Sequence, residues 1–276
     1  MQGANSWVVY SDGKSDSIVI GIDFPITGRG EAGFVDLAPL IGDGFGLWET
    51  MPSMDLTGEV SGAAYVGDWL AELKRSGKHI RGILSFCAGA AFVPAIARGI
   101  REWQQDIPTI ILVDPEIPVP MTLHMQFQRA LERFAPLLSE PERQSAFGTA
   151  DRLYQENSHD ITALQAAIST VFQEIGHIGF ERAGIDPRHG AELLVAFDAF
   201  ARYLVAGAQV RAAAGPVGEE ERKPIAISSN TPTNGLNLVS EEQRAALVAK
   251  EIRFEIPHAT LLSSPEVART IVELLS

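Results

Sequence analysis

The stretch IRGILSFCAGAA, residues 80–91, joins an apolar run directly to a row of small residues. The first seven residues are typical of a buried strand, and the small residues that follow predict a closely packed helix. A second apolar run, TIILVD at residues 109–114, predicts the next strand. A strand, a helix and a further strand in this order favour an α/β fold with a largely parallel sheet.

The same alternation of strands and helices extends in both directions from this stretch. Further strands are predicted at residues 6–11, 17–23, 224–229 and 251–256. Further helices are predicted at residues 62–76, 240–250 and 265–275, and Gly77 is expected to cap the first of them. Only five residues, DGKSD, separate the first two strands, which predicts a hairpin or two adjacent strands.

A helical segment interrupts this alternation. Helical patterns without a clear strand occupy about a hundred residues after Asp114, which is too long for a simple crossover between two strands. We therefore predict two parts. Residues 1–118 and 223–276 form the α/β core, and residues 119–222 form a helical lid insertion.

Composition excludes several classes of protein. The chain has 276 residues, of which 46% are hydrophobic, so it can bury a large core, and disorder is excluded. It has 22 basic and 35 acidic residues, and the net charge of −13 argues against nucleic acid or an anionic membrane as the main partner.

The sequence predicts neither export nor membrane insertion. The single cysteine cannot form an internal disulfide, which fits a reducing cytoplasm. The first ten residues lack the charged and apolar regions of a secretory signal, and no uninterrupted apolar run approaches about 18 residues. We expect a cytoplasmic protein without a spanning helix.

Cys87 lies at the junction between the predicted strand and the row of small residues. This is the layout of a nucleophile elbow, in which a sharp turn lifts the nucleophile above the sheet and requires small neighbours such as Ser85, Ala88 and Gly89. The start of the following helix is expected to lower the pKa of the thiol. The alternative is a small buried cysteine with a structural role.

Two further residues follow predicted strands. Asp114 ends the next strand, 27 residues after Cys87, and His258 follows the last strand. The carboxyl ends of parallel strands meet at one edge of the sheet, and the order nucleophile, acid, base is that of the α/β hydrolases. We predict a catalytic triad of Cys87, Asp114 and His258, with Glu116 as the alternative acid.

An oxyanion hole needs two backbone N–H donors near the nucleophile. Ala88 is the natural first donor, and the loop FPITGRG at residues 24–30 is expected to supply the second. This loop lacks a phosphate-binding fingerprint. No pair of histidines has metal-ligand spacing with acidic neighbours, so neither a metal nor a cofactor is predicted.

Taken together, these motifs resemble the thioesterase domains of nonribosomal peptide and polyketide synthases. The resemblance rests on FPxxGxG at 24–30, on Phe34 ahead of DLAPL, on the elbow and the following aspartate, and on HxxLLxxPxVA from His258. It implies an α/β-hydrolase fold and assigns the second oxyanion donor to Thr27. Most of that family has serine where this chain has Cys87, and the usual glycine shortly before the histidine is absent.

A free-standing chain with cysteine, aspartate and histidine resembles a narrower group, the Dieckmann cyclases that release tetramate and pyridone products. This resemblance implies that an acyl or peptidyl carrier domain delivers a phosphopantetheine-bound N-(β-ketoacyl)aminoacyl chain to Cys87. A carbanion then closes a ring through a C–C bond. Two alternatives remain open, namely a thioesterase that hydrolyses or macrocyclises its substrate with a cysteine nucleophile, and a non-catalytic binding protein of the same fold.

Overall fold

A mainly parallel sheet of seven strands forms the centre of the computed structural model, which describes residues 6–25, 30–52, 54, 56–215 and 223–276. The strands are β1 (Trp7–Ser11), β2 (Ser17–Ile22), β3 (Gly46–Thr50), β4 (His79–Phe86), β5 (Thr109–Val113), β6 (Ile225–Ser228) and β7 (Lys250–Arg253). Their order in the sheet is β1-β3-β2-β4-β5-β6-β7, and only β1 runs antiparallel to its neighbour. The predicted α/β class with a largely parallel sheet is confirmed.

Helices connect the strands and fill the long segment between β5 and β6. They are α1 (Phe34–Leu37), α2 (Gly62–Ser76), α3 (Val93–Arg101), α4 (Pro120–Phe134), α5 (Glu140–Glu156), α6 (Ile161–Ala183), α7 (Pro187–Ala214), α8 (Glu241–Leu247) and α9 (Pro265–Leu275). The prediction for α2 is confirmed in full. The Ser61 side chain caps its first turn, and Gly77 ends it in the left-handed conformation at φ 66°.

The predicted pairing of the first two strands is wrong. Strand β3 lies between them, antiparallel to β1 and parallel to β2. The sequence of β3, GLWET, was missed because it is short, follows the glycine-rich GDGFG and carries the acidic residue Glu49. This glutamate is buried inside the sheet region, where the hydroxyl of Tyr10 on β1 donates a 2.5 Å hydrogen bond to it.

The central strands are buried on both faces. Val19 and Ile20 on β2, and Ile83 and Leu84 on β4, have no exposed surface although neighbouring residues of a strand point to opposite faces. This pattern is typical of a parallel sheet covered by helices on each side. Because β2, β4 and β5 are parallel neighbours, their carboxyl ends lie at one edge of this buried sheet.

Contacts within the chain define two compact units. The first comprises Met1–Pro52, Ser61–Ile117 and Gln209–Ser276, and the second comprises Ser53–Val60 and Pro118–Ala208. The longer segment of the second unit begins at Pro118, and the predicted insertion begins at residue 119. The second unit differs from the prediction in that the last turns of α7 belong to the first unit and the segment before α2 belongs to the second.

The second unit has an aromatic core of its own. Phe172 on α6 packs against Phe197 on α7 with ring centroids 4.0 Å apart, and against Phe134 on α4 at 5.4 Å. Helix α7 meets the length and hydropathy criteria for a membrane span over Arg188–Ala214. However, 61% of its most apolar window is buried within the protein, as in the core helix of a globular protein.

Gly89 lets the turn after β4 pack against the end of β2. A Cβ atom at this position would lie 1.9 Å from the carbonyl oxygen of Ile22, a backbone atom that cannot move away freely. Only glycine fits there. The end of β4 is thereby held against the end of its neighbour in the sheet.

We therefore expect Gly89→Ala to lower the free energy of unfolding by about 1–3 kcal/mol through overpacking. The matched control is Gly67→Ala in α2, where a Cβ meets nothing within 4 Å and alanine favours the helix. Urea denaturation of both variants checks this. Equal midpoints for Gly89→Ala and the wild type would contradict the close packing of Gly89 against Ile22.

Candidate active site

Two strained residues mark one edge of the sheet. Cys87 and Asp114 have φ angles of 49° and 43°, and they are the only non-glycine residues with positive φ in the described part of the chain. Cys87 follows β4 and Asp114 follows β5, and these strands are parallel neighbours. Such strain persists only where the surrounding structure enforces it, and it concentrates at functional sites.

Asp114 is the most tightly held side chain of this edge. It is fully buried, its Oδ2 lies 2.8 Å from Nδ1 of His258, and its Oδ1 accepts a 2.8 Å hydrogen bond from the backbone N–H of Ser229. Gly235 packs directly behind it, because a Cβ there would lie 2.8 Å from the Asp114 Cα. A carboxylate in this position keeps the proton on Nδ1 and leaves Nε2 of the imidazole available as a base.

His258 begins a short 3₁₀ helix, His258–Ser263, beyond β7. Its backbone N–H donates a 2.9 Å hydrogen bond to the Thr231 hydroxyl, and its ring stacks on Phe86 with centroids 4.7 Å apart and planes 14° apart. Phe86 immediately precedes Cys87. The imidazole is thus fixed over the end of β4, beside the elbow. It holds this position although Ile256 and Pro257 stand where the resembled family usually has a glycine.

Glu116 contacts the thiol of Cys87. Cys87 Sγ donates a 3.6 Å hydrogen bond to Oε2 of Glu116, and the backbone N–H of Glu116 donates a 3.0 Å hydrogen bond to the Cys87 carbonyl. The sequence suggested Glu116 only as a substitute for Asp114. Its contact with Cys87 was missed, since nothing in DPE indicates which carboxylate turns toward the histidine.

The thiol of Cys87 has a raised pKa. Burial raises the pKa well above its ordinary value, the negative charges of Glu116 and then Asp23 raise it further, and a hydrogen bond from the Ala88 N–H opposes them. The expectation of a lowered pKa is therefore wrong, because burial and two carboxylates outweigh the start of the helix. The resting group is a thiol, and its reaction as a nucleophile needs a base.

Asp23 also lies at this edge of the sheet, although no sequence motif indicated it. It follows β2, the other neighbour of β4, and its backbone is held by Thr50, whose hydroxyl donates a 2.8 Å hydrogen bond to the Asp23 carbonyl. The available signal was an acidic residue ending a third parallel strand. Three carboxylates thus follow the strands around Cys87, namely Asp23, Asp114 and Glu116.

The remaining predicted site residues are the oxyanion donors Ala88 and Thr27. Ala88 directly follows Cys87, and its N–H points to the sulfur. Thr27 lies outside the described residues. Among those that are described, no group of three or more His, Cys, Asp and Glu residues is arranged to hold a metal ion.

Comparisons with known proteins find similar structures without similar sequences. No protein-family model and no curated protein matches the chain. A four-domain nonribosomal peptide synthetase superposes with a TM-score of 0.61 and 16% identity over 98% of this chain and 20% of that protein, so the chain spans about a fifth of its length.

Two further matches are of similar size to this chain. A protein from Nostoc sp. assigned to the α/β hydrolases gives a TM-score of 0.53 with 13% identity, covering 98% of this chain and 93% of that one. The NocB thioesterase domain gives 0.50 with 13% identity, covering 94% of each chain. With the sheet order and the elbow described above, these similarities show that the chain has the α/β-hydrolase fold.

Proposed function

We propose that this protein is a chain-releasing Dieckmann cyclase. It accepts a carrier-bound N-(β-ketoacyl)aminoacyl thioester on Cys87 and closes a tetramate or pyridone ring by forming a C–C bond. The observation that carries the proposal is a cysteine at the strained elbow, at the same sheet edge as a buried Asp114–His258 pair. The fold shared with a thioesterase domain and with part of a nonribosomal peptide synthetase supports a role in chain release.

In the first step the acyl chain moves to the enzyme. Nε2 of His258 takes the thiol proton of Cys87, the sulfur attacks the thioester carbonyl, and the phosphopantetheine thiol leaves with that proton. Asp114 holds the imidazole and stabilises its charged form. The N–H groups of Ala88 and, by resemblance, Thr27 stabilise the oxyanion.

In the second step the bound chain attacks itself. A base at the site takes a proton from the carbon between the two carbonyl groups, and the resulting carbanion attacks the thioester carbonyl. The ring forms as the C–S bond to Cys87 breaks, and the leaving thiolate takes up the proton that the base removed. Cysteine suits this step better than serine, because a thioester is more electrophilic toward carbon than an oxygen ester and a thiolate is the better leaving group.

A carrier domain is the proposed partner. Phosphopantetheine would present the thioester to Cys87. The net charge of −13 argues against nucleic acid as the partner, and because carrier domains are usually acidic as well, docking would have to be local or apolar. The second candidate function is a thioesterase, in which water, an alcohol or an amine attacks the same acyl-cysteine. The similarity to the NocB thioesterase domain supports this second function.

Cys87→Ser separates the two functions. Serine is nearly isosteric, so the elbow is retained, but an acyl-serine is a poorer electrophile for carbon and a poorer leaving group. For a cyclase, ring product from a synthetic β-ketoacyl-aminoacyl thioester should fall sharply or vanish. For a thioesterase, linear acid should persist at a substantial fraction of the wild-type rate.

The measurement is mass spectrometry of ring and linear acid from the same reaction. Cys87→Ala is the blank and should give neither product above background. A wild-type enzyme that yields only linear acid would overturn the cyclase proposal. Equal ring formation by wild type and Cys87→Ser would refute the reason given for the cysteine.

Asp114→Asn tests the proposed acid. Because the amide cannot hold the imidazole in the productive tautomer, the rate of acylation should fall by about 10²–10⁴ with little change in substrate affinity. Glu116→Gln should reduce acylation far less, since Asp114 is the carboxylate that hydrogen-bonds His258, whereas Glu116 hydrogen-bonds the Cys87 thiol. Rapid-quench measurement of acyl-enzyme formation compares them, and the reverse ranking would move the acid to Glu116.

Alkylation with iodoacetamide tests the raised pKa of the thiol. The chain has one cysteine, so the label reports Cys87 alone. A raised pKa means less thiolate at a given pH, so the alkylation midpoint should lie above the roughly 8.5 of a free cysteine. Glu116→Gln removes one negative charge and should move the midpoint down. The urea-unfolded chain is the reference, and a native midpoint below it would contradict this account.

A further inference from the structure

We infer that Glu116 is the base of the ring-closing step and returns the proton to Cys87 at its end. This inference rests on the proposed function, and it assigns different steps to two bases at the site. Nε2 of His258 serves acyl transfer, and the carboxylate of Glu116 serves the carbon acid. The resting contact between Cys87 Sγ and Oε2 of Glu116, at 3.6 Å, is where the argument begins.

Acylation changes the surroundings of Glu116. Once Cys87 carries the acyl chain, its sulfur has no hydrogen to donate, and the carboxylate faces the group bonded to that sulfur. The carbon that closes the ring must approach the thioester carbonyl, one bond away from Sγ. It therefore comes within reach of a carboxylate oxygen that hydrogen-bonds Sγ in the resting enzyme.

The backbone keeps the carboxylate at this distance. The N–H of Glu116 donates a 3.0 Å hydrogen bond to the carbonyl of Cys87, so the two residues are tied together through the main chain as well as the side chains. Pro115 restricts the backbone between Asp114 and Glu116. A base held this closely to the nucleophile is already positioned before substrate binds.

The proton and the charge both balance. Glu116 takes a proton from the carbon between the two carbonyls and becomes neutral, and the enolate carries the negative charge. The enolate carbon attacks the thioester carbonyl, the C–S bond breaks, and the leaving thiolate of Cys87 takes the proton from Glu116. The resting hydrogen bond is restored. Because a carboxylate base only transfers its charge to the enolate, the number of charges in this partly buried site stays constant.

His258 is less suited to this second task. Its Nδ1 is bound to Asp114 and its ring is stacked on Phe86, which fixes its direction. As a neutral base it would create a new pair of opposite charges on deprotonating carbon. Asp23 also acts on the thiol electrostatically, but the thiol hydrogen bond goes to Glu116.

The experiment separates the two steps in single turnover. Wild type, Glu116→Gln, Glu116→Asp and the control Glu102→Gln, which removes an exposed carboxylate after α3, are mixed with a β-ketoacyl-aminoacyl thioester. Acyl-enzyme, ring and linear acid are followed by rapid quench and mass spectrometry. A simple octanoyl thioester, which has no acidic carbon between two carbonyls, measures acylation alone.

We expect Glu116→Gln to acylate within a few-fold of wild type with both substrates. Its ring formation should fall by about 10²-fold or more, the range for loss of a general base, so that acyl-enzyme accumulates or leaves as linear acid. Glu116→Asp should recover part of the ring formation, and Glu102→Gln should match the wild type.

Every other result overturns the inference in a distinct way. Ring formation by Glu116→Gln at the wild-type rate would show that another group takes the carbon proton. Equal loss of acylation and ring formation would make Glu116 a positioning residue for Cys87. If Glu116→Gln forms the acyl-enzyme normally but loses both ring and linear acid, then Glu116 also acts as the base for attack by water. Linear acid as the only wild-type product would overturn the proposed function itself.

Discussion

The buried hydrogen bond between Asp114 and His258 joins distant parts of the sequence into one site. It links the end of β5 to the segment after β7, 144 residues apart along the chain, at a distance of 2.8 Å. A fully buried carboxylate is costly unless it is paired, and here the imidazole and the backbone of Ser229 satisfy both oxygens. The neighbouring strands, the turn at Gly235 and the stacking on Phe86 all serve to hold this pair in place.

The charge distribution around Cys87 sets the character of the site. Burial, and then the negative charges of Glu116 and Asp23, raise the pKa of the Cys87 thiol, which leaves less thiolate at a given pH than in redox enzymes and makes the sulfur a slower nucleophile and a poorer target for oxidation. Reaction is then confined to the moment when a substrate and a base are both present. A serine at this position would not depend on these carboxylates in the same way, because its hydroxyl is protonated in either environment.

Strand patterns in the sequence predict much of the sheet and of the site. The parts that they do not predict were missed for physical reasons. The elbow and Asp114 each follow an apolar run, and His258 follows the alternating stretch EIRFEI, so their positions at one edge of a parallel sheet could be predicted from strand patterns. Strand β3 could not, since its buried Glu49 and the glycines before it read as a loop. The direction of Glu116 and the pKa of Cys87 depend on side-chain contacts between separate strands, which no local pattern encodes.

The paired positive φ angles of Cys87 and Asp114 have a consequence for the evolution of this chain. Glycine is the residue that would relieve the strain at either position, and at Cys87 that replacement also removes the reactive group. Selection for a relaxed backbone and selection for activity therefore oppose each other at Cys87, whereas at Asp114 the hydrogen bonds with Ser229 and His258 favour aspartate on both counts. A relative that has lost its activity would be free to place glycine at the position of Cys87, and such a substitution would distinguish a non-catalytic binding protein from a working enzyme.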